Sequence, residues 1–232
     1  DNPPLFGILS MIVGSLYVTG GAIVIGVPIG VMCAIFLAEF CPKSLYKTVK
    51  PAVNLLAGIP SIIYGFFGME VVVPYVREYF GGNGYSILSA SVILGIMILP
   101  TIISISEAAV RAVPESYKEG SLGIGATKEE TIFKVVVPAA KSGIFTSIIL
   151  GIGRAVGETM AVVMVAGGAV MPLDKITLLK PIRTLTANIV TEMSYASGLH
   201  TESLIATGVV LFIFIIILNI SLSLLKAYSG TK

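Results

Sequence analysis

The sequence predicts an all-α protein, a polytopic bundle of transmembrane helices. Of its 232 residues, 55% are hydrophobic and only 12% are charged, and the mean hydropathy is +0.96. Soluble domains carry about 25% charged residues, so a core surrounded by water cannot account for this much apolar surface. Long uncharged stretches alternate with short polar segments, and the alternating pattern of barrel strands is absent. Helices are therefore the predicted spanning form.

Five stretches are long enough to cross about 30 Å of hydrocarbon at about 1.5 Å per residue. Within the first, the sequence Gly26-Val-Pro-Ile-Gly30 predicts close helix packing, and Pro60-Ser61 predicts a kink within the second. The five predicted spans lie within or close to residues 3–38, 51–76, 79–106, 142–167 and 203–225.

The lysine and arginine residues predict the orientation. Ten of them lie after the first and third spans and in the C-terminal tail, whereas four lie on the opposite side. Because basic residues concentrate in cytoplasmic loops, the side with ten is predicted to be cytoplasmic, with the N-terminus outside and the C-terminus inside. An outside N-terminus without a signal peptide suggests that an earlier, sixth span is missing from this chain.

Residues 107–141 are predicted to form a structured cytoplasmic loop with two short helices. Pro114 suits the start of the first helix. Gly123-Ile124-Gly125 then breaks the pattern, and Thr127-Lys-Glu-Glu130 has the form of a capping box. A second helix is expected over residues 128–136. The alternative is a solvated connector whose glycines merely permit a turn.

The stretch EGSLGIGATKEETIFKVVVP, residues 119–138, resembles the EAA loop of ABC-importer permeases. The residues of this stretch match that pattern position by position without a gap, although Gly120 and Ser121 stand where alanines are usual. The resemblance implies that the loop docks on a separate ATPase subunit and passes its motion to the membrane helices. The residues implied to take part are Glu119, Gly120, Ser121, Gly123, Gly125, Ala126 and Thr127.

Two further stretches resemble permeases of phosphate-specific ABC importers: LLAGIPSIIYGFFG at 55–68 and GRAVGETMAVVMVAG at 153–167. Met-Ala-Val after GET resembles the C type of their two permease chains. The resemblance covers nearly the whole chain and implies a type I, MetI-like bundle, with residues 1–232 as one permease domain. It also implies a cell-membrane location and three partners: an A-type permease chain, an ABC ATPase dimer that holds ATP and Mg, and an extracytoplasmic phosphate-binding protein. It implies no cofactor in this chain.

Arg154 and Glu158 lie in the middle of the fourth predicted span. If that span is one helix, the two side chains share a face, and Gly153 and Gly157 let another helix approach closely. A charged residue at the bilayer centre costs about 2.5–3.5 kcal/mol, so two charges offset most of what the aliphatic side chains contribute. Both charges are therefore expected to point into the bundle or a wet cavity.

Two interpretations of this pair remain open. In one, Arg154 and Glu158 form a structural ion pair that fixes helix packing. In the other, Arg154 offers its planar fork of donors to an oxyanion crossing the membrane. Glu158 then keeps the empty site near neutral or pairs with an arginine across the permease interface. Ser61 and the hydroxyls of Thr159 and Thr101 are further candidate contacts, although a packing kink and back-bonding within a helix also explain them.

Other chemistry is not favoured. A net charge of +2 does not favour a nucleic-acid partner, and the single histidine cannot form a metal site alone. A P-loop needs glycine directly before Lys-Ser or Lys-Thr, but the Lys-Ser pairs at 43–44 and 141–142 follow proline and alanine.

Three alternative functions stay open at this point. The nearest is import of another oxyanion, such as sulfate or molybdate. A secondary transporter that uses Arg154 and Glu158 as an ion relay is less favoured, because it has no ATPase for residues 119–138 to dock on. A membrane scaffold without transport would leave the two buried charges without a purpose.

Overall fold

A computed structural model of the chain describes residues 7–230, which form helices joined by short connections, so the predicted all-α class is confirmed. Short π-helical segments occur within three of these helices, at Phe36–Phe40, Gly68–Val72 and Ile132–Val136. The helices are α1 (Leu9–Phe40), α2 (Lys43–Gly58), α3 (Ser61–Phe80), α4 (Ile87–Arg111), α5 (Glu115–Gly123), α6 (Lys128–Ala139), α7 (Lys141–Gly157), α8 (Met160–Val165), α9 (Leu185–Met193) and α10 (Leu199–Gly230).

Three of these helices are long and apolar enough to cross a membrane unbroken, namely α1, α4 and the Leu199–Ser221 part of α10. Two more candidates are helix pairs bent at a short break, α2 with α3 by 99° and α6 with α7 by 66°. Counting each bent pair as one span gives up to five, although the second pair joins α6 to α7, whereas the predicted fourth span covers α7 and α8. The bundle therefore contains two kinds of span, straight and broken.

Helices α1 and α4 form the centre of the bundle, because glycines on α1 let α4 approach closely. A Cβ atom added to Gly26 would lie 2.8 Å from the carbonyl oxygen of Gly95 and from the Ile98 side chain. One added to Gly30 would lie 2.8 Å from Ile102. Ile98 and Ile102 are fully buried. The close packing predicted from this glycine spacing is confirmed.

The second predicted span, over residues 51–76, is interrupted at Pro60, where the sequence predicts a kink. Helix α2 ends at Gly58, Ile59 has extended backbone (φ −70°, ψ 126°), and α3 begins at Ser61. Pro60 explains the break, because its ring disfavours helical backbone at the preceding residue and it has no amide hydrogen to donate. The predicted kink is a sharp turn between two separate helices.

The fourth span, predicted over residues 142–167, is also broken. Helix α7 ends at Gly157, Glu158 has an extended ψ of 132°, and α8 begins at Met160. Glycine weakens a helix. The Glu158 carboxylate accepts a hydrogen bond from the Ala161 amide at 3.3 Å, satisfying a donor that the start of α8 leaves free. The fourth span is therefore not one continuous helix, and the Glu158 carboxylate lies against the start of α8 rather than pairing with Arg154.

The segment between α8 and α10 folds over the end of the bundle where α4 begins. The carbonyl oxygens of Lys180 and Leu178 accept hydrogen bonds from the first amides of α4, at 3.2 and 2.9 Å. The Leu185 amide donates to Ser15 Oγ of α1 at 3.1 Å. Arg183 holds the segment together through Glu192, with Nη1 and Oε1 2.6 Å apart. These bonds tie the segment to both central helices.

Candidate functional site

Arg154 lies in the last turn of α7 and is half-buried. Within residues 7–230 its one hydrogen bond runs from Nη1 to Thr101 Oγ1 of α4, at a long 3.5 Å. The ion pairs of the described residues include neither Arg154 nor Glu158. The structural ion pair considered from the sequence is not formed, because the break after Gly157 turns Glu158 onto the start of α8.

The guanidinium of Arg154 lies near the middle of the bundle. At about 1.5 Å per residue, Arg154 is about 20 Å from the Lys141 end of α7. Thr101, its partner, is about 21 Å from the Ile87 end of α4 and about 15 Å from the Arg111 end. Measured along α7 and along α4, the contact between Arg154 and Thr101 therefore lies well inside the bundle, away from the helix ends at Lys141 and Arg111.

Tyr64 of α3 is the third polar group at this depth. Its hydroxyl donates to the carbonyl oxygen of Leu56, near the end of α2, at 2.8 Å. The positive charge of Arg154 also acts on this phenolic oxygen. Ser61 is the first residue of α3, and Thr159 Oγ1 donates to the Gly157 carbonyl at 3.3 Å. The described contacts bring Arg154, Thr101 and Tyr64 together, whereas no hydrogen bond among them joins Ser61 or Thr159 to Arg154.

The glycines beside Arg154 do not pack as the sequence predicts. A Cβ atom on Gly153 or Gly157 would meet nothing within 4 Å among the described residues, so neither carries a close helix approach within this chain. The close contact on α7 is made by Gly151, where a Cβ would lie 3.1 Å from Ile102. Within the described residues, α7 therefore turns Gly151 toward α4 and leaves the space beside Gly153 and Gly157 open.

The 107–141 segment, predicted to be a cytoplasmic loop, contains the two short helices that the sequence predicts. Pro114 is the cap before α5 rather than its first residue, and α4 includes the first five residues of the 107–141 segment. Gly125, with φ +93°, turns the chain between α5 and α6. The capping box is present: Thr127 Oγ1 accepts from the Glu130 amide, and Glu130 Oε2 accepts from the Thr127 amide, both at 3.2 Å. This is a fixed turn rather than a slack connector.

The predicted docking residues form the exposed surface of this loop. Glu119, Gly120, Gly123, Gly125 and Thr127 are exposed, and Ser121 and Ala126 are half-buried. Ser121 Oγ lies 2.9 Å from Thr131 Oγ1, which joins α5 to α6. Ile124 at the turn is 88% exposed. The loop therefore presents small, charged and apolar groups together.

Side chains near the end of α1 hold the loop against the bundle. Lys118 and Glu39 form an ion pair, with Nζ 2.8 Å from Oε1. The angles at this contact are not those of a hydrogen bond. Burial lowers the pKa of Lys118, but the negative charges of Glu39 and Glu115 outweigh burial, so its pKa is raised and it stays charged. The rings of Phe40 and Phe133 stack with centroids 6.4 Å apart.

Glu107 is a site residue that sequence reasoning missed. It is 2% exposed on α4, and its carboxylate accepts from Tyr46 at 2.7 Å, Lys50 at 2.7 Å and Arg111 at 2.9 Å. Arg111 Nη2 also donates to the Leu37 carbonyl of α1 at 2.7 Å. The available signal was Glu107 four residues before Arg111 at the end of an apolar run, because that spacing pairs opposite charges on a helix. We call Tyr46, Lys50, Glu107 and Arg111 the Glu107 cluster.

A family model described as "Binding-protein-dependent transport system inner membrane component" matches residues 26–231. The chain belongs to this family. It is 40% identical over 228 residues to "Probable ABC transporter permease protein YqgH" of Bacillus subtilis (strain 168), covering 94% of this chain and 72% of that one. It is 41% identical to "Phosphate transport system permease protein PstC" of Mesorhizobium japonicum, covering 90% of this chain and 69% of the relative.

Solved structures share the fold at low identity. The permease of the MetNI methionine ABC transporter, in inward-facing form, matches with a TM-score of 0.75 and 22% identity, over 96% of this chain and 95% of that one. An amino acid ABC transporter matches with a TM-score of 0.69 and 18% identity, over 95% and 93% of the two chains. The predicted resemblance to ABC-importer permeases is confirmed, and the chain is a membrane permease subunit rather than an enzyme. The secondary-transporter alternative is not favoured.

Proposed function

We propose that the chain is the C-type permease subunit of an ATP-driven importer of inorganic phosphate. The observation that carries this proposal is Arg154, a guanidinium near mid-depth whose one described hydrogen bond is long. Guanidinium groups bind oxyanions through parallel, charge-assisted hydrogen bonds, and a donor fork without a carboxylate partner among residues 7–230 is available for such an anion. The relatives named phosphate transport permeases support phosphate as that anion.

Thr101 and Tyr64 are proposed to complete the anion contact. The Thr101 hydroxyl lies 3.5 Å from the guanidinium, and the Tyr64 hydroxyl, close enough to feel its charge, now donates to Leu56; either can turn to donate to a phosphate oxygen as the anion passes. Ser61 at the start of α3 and Thr159 after the α7 break remain proposed pathway residues, since each borders a broken helix. Broken helices at mid-depth are where transporters place substrate sites.

Glu158 is proposed to select for an anion that carries a proton. One carboxylate oxygen accepts from the Ala161 amide, which leaves the other free to accept. Hydrogen phosphate can donate a proton to that oxygen, but sulfate has none to donate at neutral pH, so a nearby carboxylate repels it. This contact favours phosphate over the sulfate or molybdate alternative.

The partners follow from the family and the loop. We propose that residues 119–127 dock on a cytoplasmic ABC ATPase dimer, that an A-type permease chain pairs with this one, and that a phosphate-binding protein delivers substrate on the outside. ATP and Mg are bound by the ATPase, with no nucleotide site in this permease. The C-terminus is cytoplasmic, and residues 1–232 act as one permease domain.

Reconstitution tests this function. The permease pair, the ATPase and the phosphate-binding protein are placed in liposomes with ATP inside, and radiolabelled phosphate uptake and ATP hydrolysis are recorded. The expected result is phosphate uptake that needs ATP and the binding protein, with unlabelled sulfate failing to compete. Stimulation by sulfate but not by phosphate would reassign the substrate. Uptake without ATP would contradict the ATP-driven mechanism.

A further inference from the structure

The Glu107 cluster joins three helices at the point where the docking loop begins. Glu107 and Arg111 lie in the last turns of α4, and Arg111 is four residues before the start of α5 at Glu115. Tyr46 and Lys50 reach Glu107 from α2, and Arg111 reaches the Leu37 carbonyl of α1. A carboxylate this deeply buried is stable only with such partners, so their removal leaves an unpaired buried charge.

Helix α2 connects this cluster with the anion site. Tyr46 and Lys50 lie on α2 at the cluster, and the carbonyl of Leu56, about 15 Å further along the helix, accepts the Tyr64 hydroxyl beside Arg154. Helix α2 then ends at Gly58, before the Pro60 break. The Arg111 ring contact adds to the hold on α2, with its guanidinium carbon 4.8 Å from the centre of the Tyr46 ring.

We infer that Glu107 is a positioning residue for coupling, which fixes α2 to the base of the docking loop so that loop displacement moves Tyr64 relative to Arg154. The inference rests on the proposed function, because it needs an ATPase to move the loop. Lys118 and Glu39 hold the far side of α5 to the end of α1, so the loop is attached to the bundle on both sides. Removing the Glu107 charge frees α2 while the loop stays docked.

The test is the number of phosphate ions imported per ATP hydrolysed by the full reconstituted importer. In Glu107→Gln, ATP hydrolysis is expected to stay within about 2-fold of the parent, while imported phosphate per ATP falls by about 5-fold or more, the lower range of measured couplings between sites. Glu130→Gln is the matched control, since Glu130 is an exposed loop carboxylate paired only locally, with Lys134 and Thr127. Its ratio is expected to be unchanged.

Tyr46→Phe keeps the test decisive if Glu107→Gln does not assemble, because it removes one hydroxyl and retains the ring over Arg111. It is expected to lower the same ratio, by less. A purely structural role would lower uptake and hydrolysis in parallel and leave the ratio constant, which would overturn the inference. Failure of the parent protein to couple phosphate uptake to ATP would instead overturn the proposed function, so the two failures are distinguishable.

Discussion

The two charged regions of this chain are built in opposite ways. At the C-terminal end of α4, Glu107 is almost fully buried and has three partners between 2.7 and 2.9 Å. Near mid-depth, Arg154 is half-buried and has one described hydrogen bond, at 3.5 Å. A fully paired charge holds helices in place, whereas a charge left largely unpaired by its own chain has donors available for something else. The comparison separates residues that position from residues that contact the transported ion.

The largest expected effect comes from the unpaired region. In Arg154→Ala, phosphate uptake is expected to fall by about 10- to 100-fold, because a hydrogen bond to a charged group contributes about 1.5–3 kcal/mol. Arg154→Lys should retain part of the rate, since it keeps the charge without the planar fork. Initial rates of radiolabelled uptake, normalised to assembled importer, measure this.

Arg77→Ala is the control for this substitution. Arg77 is an exposed arginine in the last turn of α3, far along the chain from the break, and its loss should leave uptake near the parent rate. Equal loss in both variants would show that Arg154 acts through general charge or assembly.

The second prediction compares the two carboxylates by stability. Glu107→Gln is expected to lower the free energy of unfolding by about 3 kcal/mol, because it breaks a buried charge network. Glu158→Gln is expected to change it by less than about 0.5 kcal/mol, since glutamine keeps an oxygen that can accept from the Ala161 amide. Titration of the purified importer with denaturant in detergent measures the free energy of unfolding of both variants. Equal stability changes would remove the distinction between the two regions.

The third prediction uses two glycines on α7 that lie two residues apart. Gly151→Leu is expected to destabilise the chain by about 1–3 kcal/mol, because its side chain would enter the packed contact with Ile102. Gly153→Leu should leave the stability of this chain unchanged, since the space around it is open. If the second permease subunit packs there, Gly153→Leu weakens co-purification of the two subunits. If both variants still co-purify with the second permease subunit, that subunit packs elsewhere.

The smallest effect is expected at the docking loop. Thr127→Ala removes the side-chain half of the capping box and is expected to destabilise the start of α6 by about 1 kcal/mol. Hydrogen exchange of the amides at Glu129 and Glu130 should accelerate, with uptake only slightly reduced. Thr146→Ala is the control, because the Thr146 hydroxyl bonds back to Ser142 within its own helix. Faster exchange in the control alone would contradict the capping account.

The sequence predicted the features that depend on local patterns. The apolar stretches, the Gly26 and Gly30 packing and the Thr127 capping box each follow from residues within one or two helical turns, and all are present in the structure. The break at Glu158 was harder to predict, because an apolar stretch reads as continuous even where the backbone turns, whereas Pro60 predicted a kink but not how sharp the turn is. Only the Arg111 partner of Glu107 has a local signal, since Tyr46 and Lys50 lie more than fifty positions earlier in the chain. Tertiary contacts of this kind need the fold itself.

The most direct test of the central claim is a structure of the assembled importer trapped with phosphate during turnover. The account predicts tetrahedral density within about 3 Å of the Arg154 guanidinium, with Thr101 or Tyr64 as a second contact. Phosphate density elsewhere along the bundle, together with a carboxylate of the second permease subunit bonded to Arg154, would contradict it.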